Sequence, residues 1–475
     1  MKARIILSAD KKDFYKELFS LAIPIGMQNL LVALIGATDA LMLGRFSQDA
    51  VSAVSLANQV VFIMNLFIGA VVGGGGVLLA QYWGKGDREN INRVIGIGCY
   101  VAGAISILFA LVMMAFPRPL MGLLVNDAAL VEIAADYARI VGPSYILNSI
   151  TGVYVGAHRS MENPKLGLII FSISMCTNTF LNWVLIFGNL GAPALGVVGA
   201  AAATLTSRVV EFVAMAIYAL TNRRFRLQFA LLLRPSRELV GKFVRYSSPV
   251  VLNETMWGLG TTLYKVIMGH MEGSAAILAA RALAGNIEDI CSVAIFAVAG
   301  STAIIVGREI GAGRRDTVYE VGATMNTLAL LCGGVLGGLL VLAAHFLLPA
   351  WVYPIFDLSA RSAGIATMML TFTGTTLALR AFNSTNIVGV LRGGGDVRTA
   401  MRIDILPLWA VALPLAALFG LALKWGIFWV YIGITMEQVS KFGFGVGRFR
   451  SRAWINDVTV ARYQREETPS RSADT

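Results

Sequence analysis

The amino-acid sequence predicts an all-α integral membrane protein: twelve transmembrane helices in two six-helix lobes related as parallel repeats. Three observations carry that expectation. Hydrophobic residues make up 56% of the 475 and charged residues 14%, with a mean hydropathy of +0.70, a balance outside that of soluble domains. Apolar runs of the roughly 20 residues needed to cross a bilayer recur twelve times. The chain is also written twice: Pro24/Pro249 and Gly44/Gly269 are 225 residues apart, Leu56-Ala57/Leu283-Ala284 and Gly84/Gly311 are 227 apart, and Gly156/Gly389 are 233 apart. Duplication inside a hydrophobic chain is a mark of transporters built from two moving halves, here around a central cleft.

The spans fall in order at 17–43, 51–82, 92–116, 131–157, 165–188 and 197–220, then 246–269, 276–307, 318–348, 363–391, 399–422 and 426–447. The domain reading is a cytoplasmic N-terminus at 1–16, an N-lobe at 17–220, a cytoplasmic linker at 221–245, a C-lobe at 246–450 and a cytoplasmic tail at 451–475. The first span follows a basic leader, but it is much longer than a signal-peptide core and belongs to the repeat, so no cleaved signal is expected. Gly73 to Gly76 in the second span, and Gly333-Gly334 with Gly337-Gly338 in the ninth, strip side chains from a full turn, which favours close helix packing. The linker, Thr221 to Tyr246, mixes Arg and Lys with Phe and Leu and reads as a segment lying partly in the membrane interface, or as a solvated tether. The residues after Trp454 are polar and read as disordered.

Charge in the connections sets the orientation. Lys2, Arg4, Lys11, Lys12 and Lys16 precede the first span. Every second connection afterwards is basic: Lys85/Arg88/Arg93, Arg159/Lys165, Arg223 to Arg245, Arg308/Arg314/Arg315 and Arg392/Arg398/Arg402, with Lys441, Arg448, Arg450 and Arg452 at the tail. The positive-inside rule then places both termini in the cytoplasm and the protein in the cell's inner (plasma) membrane. The net charge of +11 is read as a cytoplasmic face meeting anionic lipid, and no nucleic-acid partner is expected. Cys99, Cys176, Cys291 and Cys332 lie inside spans without metal-ligand spacing and read as small buried apolar residues.

Ionisable residues inside the spans are costly, so each is a candidate functional group or half of a pair. Asp39 lies six residues before Arg45, about 9 Å inside the first helix. Its repeat partner is Tyr264, so the halves differ there. A carboxylate at that depth suits proton binding, or cation binding where other oxygens surround it; the alternative is a structural hydrogen-bond anchor. Glu254, whose counterpart is Asn29, sits about 13 Å beyond Arg245 and either lines the cleft or pairs with Lys265, Arg281 or Arg380. Glu288-Asp289, Arg208, Glu211 and Glu437 read as structural pairs or boundary groups, and His270 as a solvated residue at a helix end. No phosphate-cradling loop, zinc-protease motif or nucleophile elbow is present, which leaves an ion gradient or the substrate's own gradient as the energy source, and no enzyme activity.

Thr38-Asp39-Ala40-Leu41-Met42-Leu43-Gly44, Gln81-Tyr82-Trp83-Gly84-Lys85-Gly86-Asp87, Asn178 to Gly188, Asn253-Glu254 and Leu391-Arg392-Gly393-Gly394-Gly395-Asp396 together resemble the multidrug and toxic compound extrusion family. The resemblance spans about residues 15 to 450. It implies a V-shaped pair of lobes and export of organic cations in exchange for H⁺ or Na⁺, with no cofactor beyond the coupling ion. In the first lobe it implies a cation site of Asp39, Asn178, Asn182 and Thr204, with Asp39 meeting Na⁺ if sodium is the coupling ion. The position of Asn182 is acidic in several relatives, and the helix 10 acid of some members has no match. Asn29, Asn253, Glu254, Met256, Trp257 and Tyr264 are the candidate substrate contacts, with Met64, Phe67, Tyr145 and Met368 as looser ones that equally suit core packing. The expected partners are small cationic molecules and the bilayer, with the protein a monomer. A lipid-linked oligosaccharide or lipid flippase of the same superfamily is the alternative.

Overall fold

A computed structural model describes residues 12–356 and 358–460. The helices are α1 (Lys12–Phe46), α2 (Gln48–Lys85), α3 (Arg88–Ala115), α4 in two pieces (Ala128–Val141 and Ser144–Ser160), α5 (Lys165–Phe187) and α6 (Gly196–Thr221). The second set is α7 (Arg237–Gly269), α8 (Ser274–Gly311), α9 (Arg315–Val352), α10 (Ala360–Arg392), α11 (Val397–Ala422) and α12 (Ile427–Arg450). Among the described residues nine of these are long and apolar enough to cross a membrane. The other three are α4, α7 and α12. Pro143, which lacks an N–H, sits at the break in α4, and the polar residues of α7 and α12 dilute their apolar character.

Local chemistry sets the ends. The Asp127 carboxylate accepts from the N–H of Ala129 (2.9 Å) and Leu130 (3.3 Å) at the start of α4, satisfying donors that have no partner within the helix. Ser359 does the same for Ser362 N–H at 3.1 Å before α10. Gly188 closes α5 at φ 75, a left-handed conformation that glycine adopts without strain. α7 starts nine residues ahead of the expected 246 because its first turns are charged and lie outside the apolar run.

By packing, the chain forms two compact units. One takes Lys16–Gly76 and Asn92–Thr255, the other Val77–Ile91 and Met256 onward. The divisions fall inside α2 and α7, whereas the sequence halves divide at the linker.

In the first unit the glycine run of α2 allows close contact, as expected. A Cβ at Gly74 would strike the backbone of Ser247 on α7, and one at Gly75 would lie 3.0 Å from the Phe243 ring. The linker is not a free tether: it packs on α3. Phe225 is buried, Gln228 N–H donates to Asn92 Oδ1 at 2.9 Å, and a Cβ at Gly96 would strike Leu232.

In the second unit the duplication is visible as a reciprocal contact. A Cβ at Gly84 would strike the Arg308 carbonyl, and a Cβ at Gly311 would strike the Gln81 carbonyl. Residues 81 and 84 are the repeat partners of 308 and 311, so the ends of α2 and α8 cross symmetrically with glycine at each closest point. The residues after α12 cover this end. Gln81, 0% exposed, donates through Nε2 to the carbonyls of Gly393 (3.3 Å) and Asn456 (3.1 Å), and its Oε1 accepts from Val458 N–H (2.8 Å). Trp454 and Val458 are buried with it. Disorder is therefore the wrong expectation for 455–460, where two apolar anchors and a fully bonded amide hold the chain; 461–475 lie outside the described residues.

Two further expectations are corrected. Lys441 and Arg392 are not part of a solvated basic face: both are buried, and Lys441 is held between Asp404 Oδ1 (2.6 Å) and Glu437 Oε1 (2.7 Å). The cysteines are not buried. Cys176 and Cys332 are exposed and Cys99 and Cys291 half-buried, because their helices turn those faces away from the packed core.

Candidate functional site

The site builds from α1, α4, α5 and α6 within the first unit. Asn178 and Asn182 are one turn apart on α5 and so share a face; both are buried. The Asn182 Nδ2 group donates both its hydrogens, one to Asp39 Oδ1 at 2.5 Å and one to Asn178 Oδ1 at 3.2 Å. The remaining Asn182 atom, Oδ1, is buried without a hydrogen-bond partner among the described residues. Tyr137 on α4, 4% exposed, lies within electrostatic reach of Asp39 and within hydrogen-bonding reach of the Thr204 side chain on α6.

The nearest guanidinium does not clamp the acid. Arg208, one turn beyond Thr204, is bonded through Nη1 to Glu211 Oε2 at 2.5 Å, and Glu211 is fully buried. Arg208 reaches Asp39 only as a field. Asp39 itself is half-buried, held by neutral amides. The result is one carboxylate and two amides converging at membrane depth, with one amide oxygen open and the Thr204 hydroxyl reached through Tyr137.

The structure thus brings Asp39, Asn178 and Asn182 together and places Thr204 beside them through Tyr137. Tyr137 was not foreseen. The available signal was a phenol on the apolar face of a short amphipathic helix, since a buried phenol needs a hydrogen-bond partner. Arg208 with Glu211 forms the structural pair expected.

The other candidates lie apart from this group. Glu254 and Asn29 are half-buried and Asn253 buried, all in the first unit. Met256, Trp257 and Tyr264 belong to the second. The Met256 carbonyl accepts from Trp409 Nε1 at 3.3 Å, and Trp257 is exposed. The Tyr264 hydroxyl donates to Glu437 Oε2 at 3.1 Å, so the polar partner at that repeat position comes from α12. Arg281 pairs with Glu288, at 2.9 Å, and Arg380 also faces Glu288. Met64 and Tyr145 are buried and Met368 packs against the second unit's core, which is the packing role.

A family model described as MatE matches residues 24–184 and 249–418, one copy on each repeat. The chain belongs to the MatE family. Its MatE relatives include the probable multidrug resistance protein NorM of Thermotoga maritima, 25% identical with 95% of this chain and 96% of that protein covered. An uncharacterized transporter YisQ of Bacillus subtilis is 26% identical over 92% of this chain and 94% of its own. Among solved structures, a MOP superfamily transporter from Pyrococcus furiosus superposes with a TM-score of 0.81 at 19% identity, covering 94% of this chain and 97% of that one. The eukaryotic MATE transporter AtDTX14 gives 0.80 at 16% identity, covering 95% and 98%. These likenesses confirm the two-lobe, twelve-helix MATE fold. The protein is a multi-pass membrane transporter of small molecules, not an enzyme.

Proposed function

We propose that this MatE protein exports organic cations in exchange for H⁺ or Na⁺, with Asp39 as the group that ion and cargo occupy alternately. One observation carries this reading: a carboxylate at membrane depth is held by neutral amides and by no cation, beside an amide oxygen left open. Ionised, Asp39 attracts a cationic substrate. A bound proton or sodium ion cancels that attraction, and Asn178, Asn182 and Thr204 supply the oxygens that would accompany sodium. Exchange follows when the two loaded states prefer different lobe arrangements, since a ligand shifts a conformational equilibrium only by its differential affinity. The basic connections support a reading in which both termini lie on the cytoplasmic side of the plasma membrane.

Proteoliposomes carrying an imposed Na⁺ or H⁺ gradient and an ethidium-type cation test it. Cation movement that follows one of the two gradients, and is absent in Asp39→Asn, is the expected result. Movement undiminished in that variant refutes the assignment.

A further inference from the structure

Deep inside the second unit, α8 and α10 face each other through two pairs of residues with heptad spacing. Arg281 and Glu288 are two turns apart on α8, and Thr373 and Arg380 are two turns apart on α10, so each pair shares a helix face. Glu288 is buried at their centre. Its Oε1 accepts from the Thr373 hydroxyl at 2.6 Å, and its Oε2 accepts from Arg281 Nη1 at 2.9 Å. Tyr431 of α12 meets the same Nη1 at 3.5 Å.

Arg380 is treated differently. Its one ion-pair contact within 4 Å among the described residues is Nη1 to Glu288 Oε2 at 3.9 Å, on the oxygen Arg281 already holds; it makes no hydrogen bond there, and it acts on Asp289 only as a field. A guanidinium carries five donors in a planar fork. Five donors without an acceptor would be ordinary at a solvated surface. Here the position is about 30 Å along α10 from Ala360 and about 18 Å from Arg392, at the heart of a membrane-crossing helix.

Exposure decides what the fork faces. The side chains of Arg281 and Arg380 are each 29% exposed. Charged groups at this depth face protein or water-filled space, not hydrocarbon, so the uncovered part of each guanidinium opens on water. The charges do not cancel either. Lys265, Arg281 and Arg380 all act on Asp289, and the two arginines also face Glu288, so three cations meet two acids, and Glu288 spends its contacts on Thr373 and Arg281.

We infer that Arg380, with Arg281 beside it, is a binding site for an anionic group, a carboxylate or phosphate carried by a substrate or a lipid headgroup. Arg281 Nη1 at 2.9 Å and Arg380 Nη1 at 3.9 Å lie around the same Glu288 oxygen, so the two guanidiniums stand close enough for a single planar or tetrahedral anion to meet the free donors of both forks. The site goes beyond cation export, because it extends the cargo to amphoteric molecules with a negative end as well as a positive one. It does not depend on Asp39.

Rhodamine B and its ethyl ester test the site, since they share one cationic ring system and differ by a single carboxylate. Anisotropy titrations use the full chain in uncharged detergent. The wild type is expected to bind the acid about tenfold more tightly than the ester, the scale of one charge-assisted contact. In Arg380→Gln the acid-to-ester ratio falls to about one. That change leaves Glu288 paired with Arg281, so the fold keeps its internal ion pair; Arg380→Lys, which keeps the charge and loses the fork, should give an intermediate ratio. Phosphatidylglycerol that displaces the acid from the wild type assigns the anion to a lipid headgroup. Displacement by free benzoate or inorganic phosphate assigns it to a soluble molecule. Equal affinities for acid and ester in the wild type, or a preference for the acid that survives in both variants, overturns the proposal. Gradient-driven export of the ester reads the Asp39 assignment separately, so the two failures are distinguishable.

Discussion

Asp39 in α1 and Tyr264 in α7 are repeat partners, and each begins a buried polar network within its own unit. The Asp39 network ends on neutral amides: Asn182 bonds it, Asn178 bonds Asn182, and one oxygen is left open. The Tyr264 network is closed by charge: Tyr264 bonds Glu437, Glu437 pairs with Lys441, and Lys441 pairs with Asp404. Duplication kept the helices and changed the chemistry. An acid held by amides can exchange its occupant, because either protonation state leaves its neighbours satisfied. An acid locked to a buried ammonium cannot, because losing the partner strands a charge in low dielectric.

The largest effect separates the two networks by function. Asp39→Asn should reduce gradient-driven cation transport to that of empty liposomes. Its stability should stay within about 1 kcal/mol of the wild type, since the amide oxygen still accepts from Asn182; a large loss of stability would make Asp39 a structural anchor instead. Lys441→Met reverses the pattern and should cost about 3–5 kcal/mol by leaving buried Glu437 without its cation and Asp404 with Arg392 alone at 3.9 Å, read as a fall in melting temperature of the purified protein. A double change of Lys441 and Glu437 to apolar residues, which leaves Asp404 to Arg392, should recover most of it. Next, Asn182→Asp takes the first network away from neutral amides by setting a second acid beside Asp39. It should raise the sodium dependence of transport about tenfold, the worth of one extra charge-assisted contact, measured as the sodium concentration for half-maximal flux. Smallest, Tyr264→Phe removes one hydrogen bond to a charged acceptor and should cost about 1.5 kcal/mol with transport retained. Loss of transport in that variant would give the second network a functional role and weaken the contrast.

Much of this was legible in the sequence, for definable reasons. Span positions and the repeat follow from composition and spacing, which are local or periodic signals. Asp39 was legible because one charge in an apolar helix is an anomaly in itself, whereas Asn178 and Asn182 came only with the family resemblance. The pairing of Tyr264 with Glu437 was not, because the two are 173 residues apart and only folding sets their distance. Lys441 was misread for a similar reason: a lysine near a helix end looks like a solvated boundary charge until Asp404 appears beside it. Tyr137 escaped because a tyrosine on an apolar face is common. The early start of α7 escaped because hydropathy follows the bilayer, whereas helix continuity follows backbone hydrogen bonds.

The strap after α12 has a consequence for how the protein is made. A chain leaves the ribosome amino end first, yet the three groups that satisfy Gln81 lie 312, 375 and 377 residues downstream of it. Throughout synthesis the end of α2 must carry an amide whose native partners do not yet exist, and membrane insertion of the earlier helices cannot complete that corner. Final assembly therefore waits on the release of the carboxyl-terminal stretch. A nonsense mutation that spares every membrane helix but removes Asn456 and Val458 would be expected to yield a protein that inserts and then fails quality control.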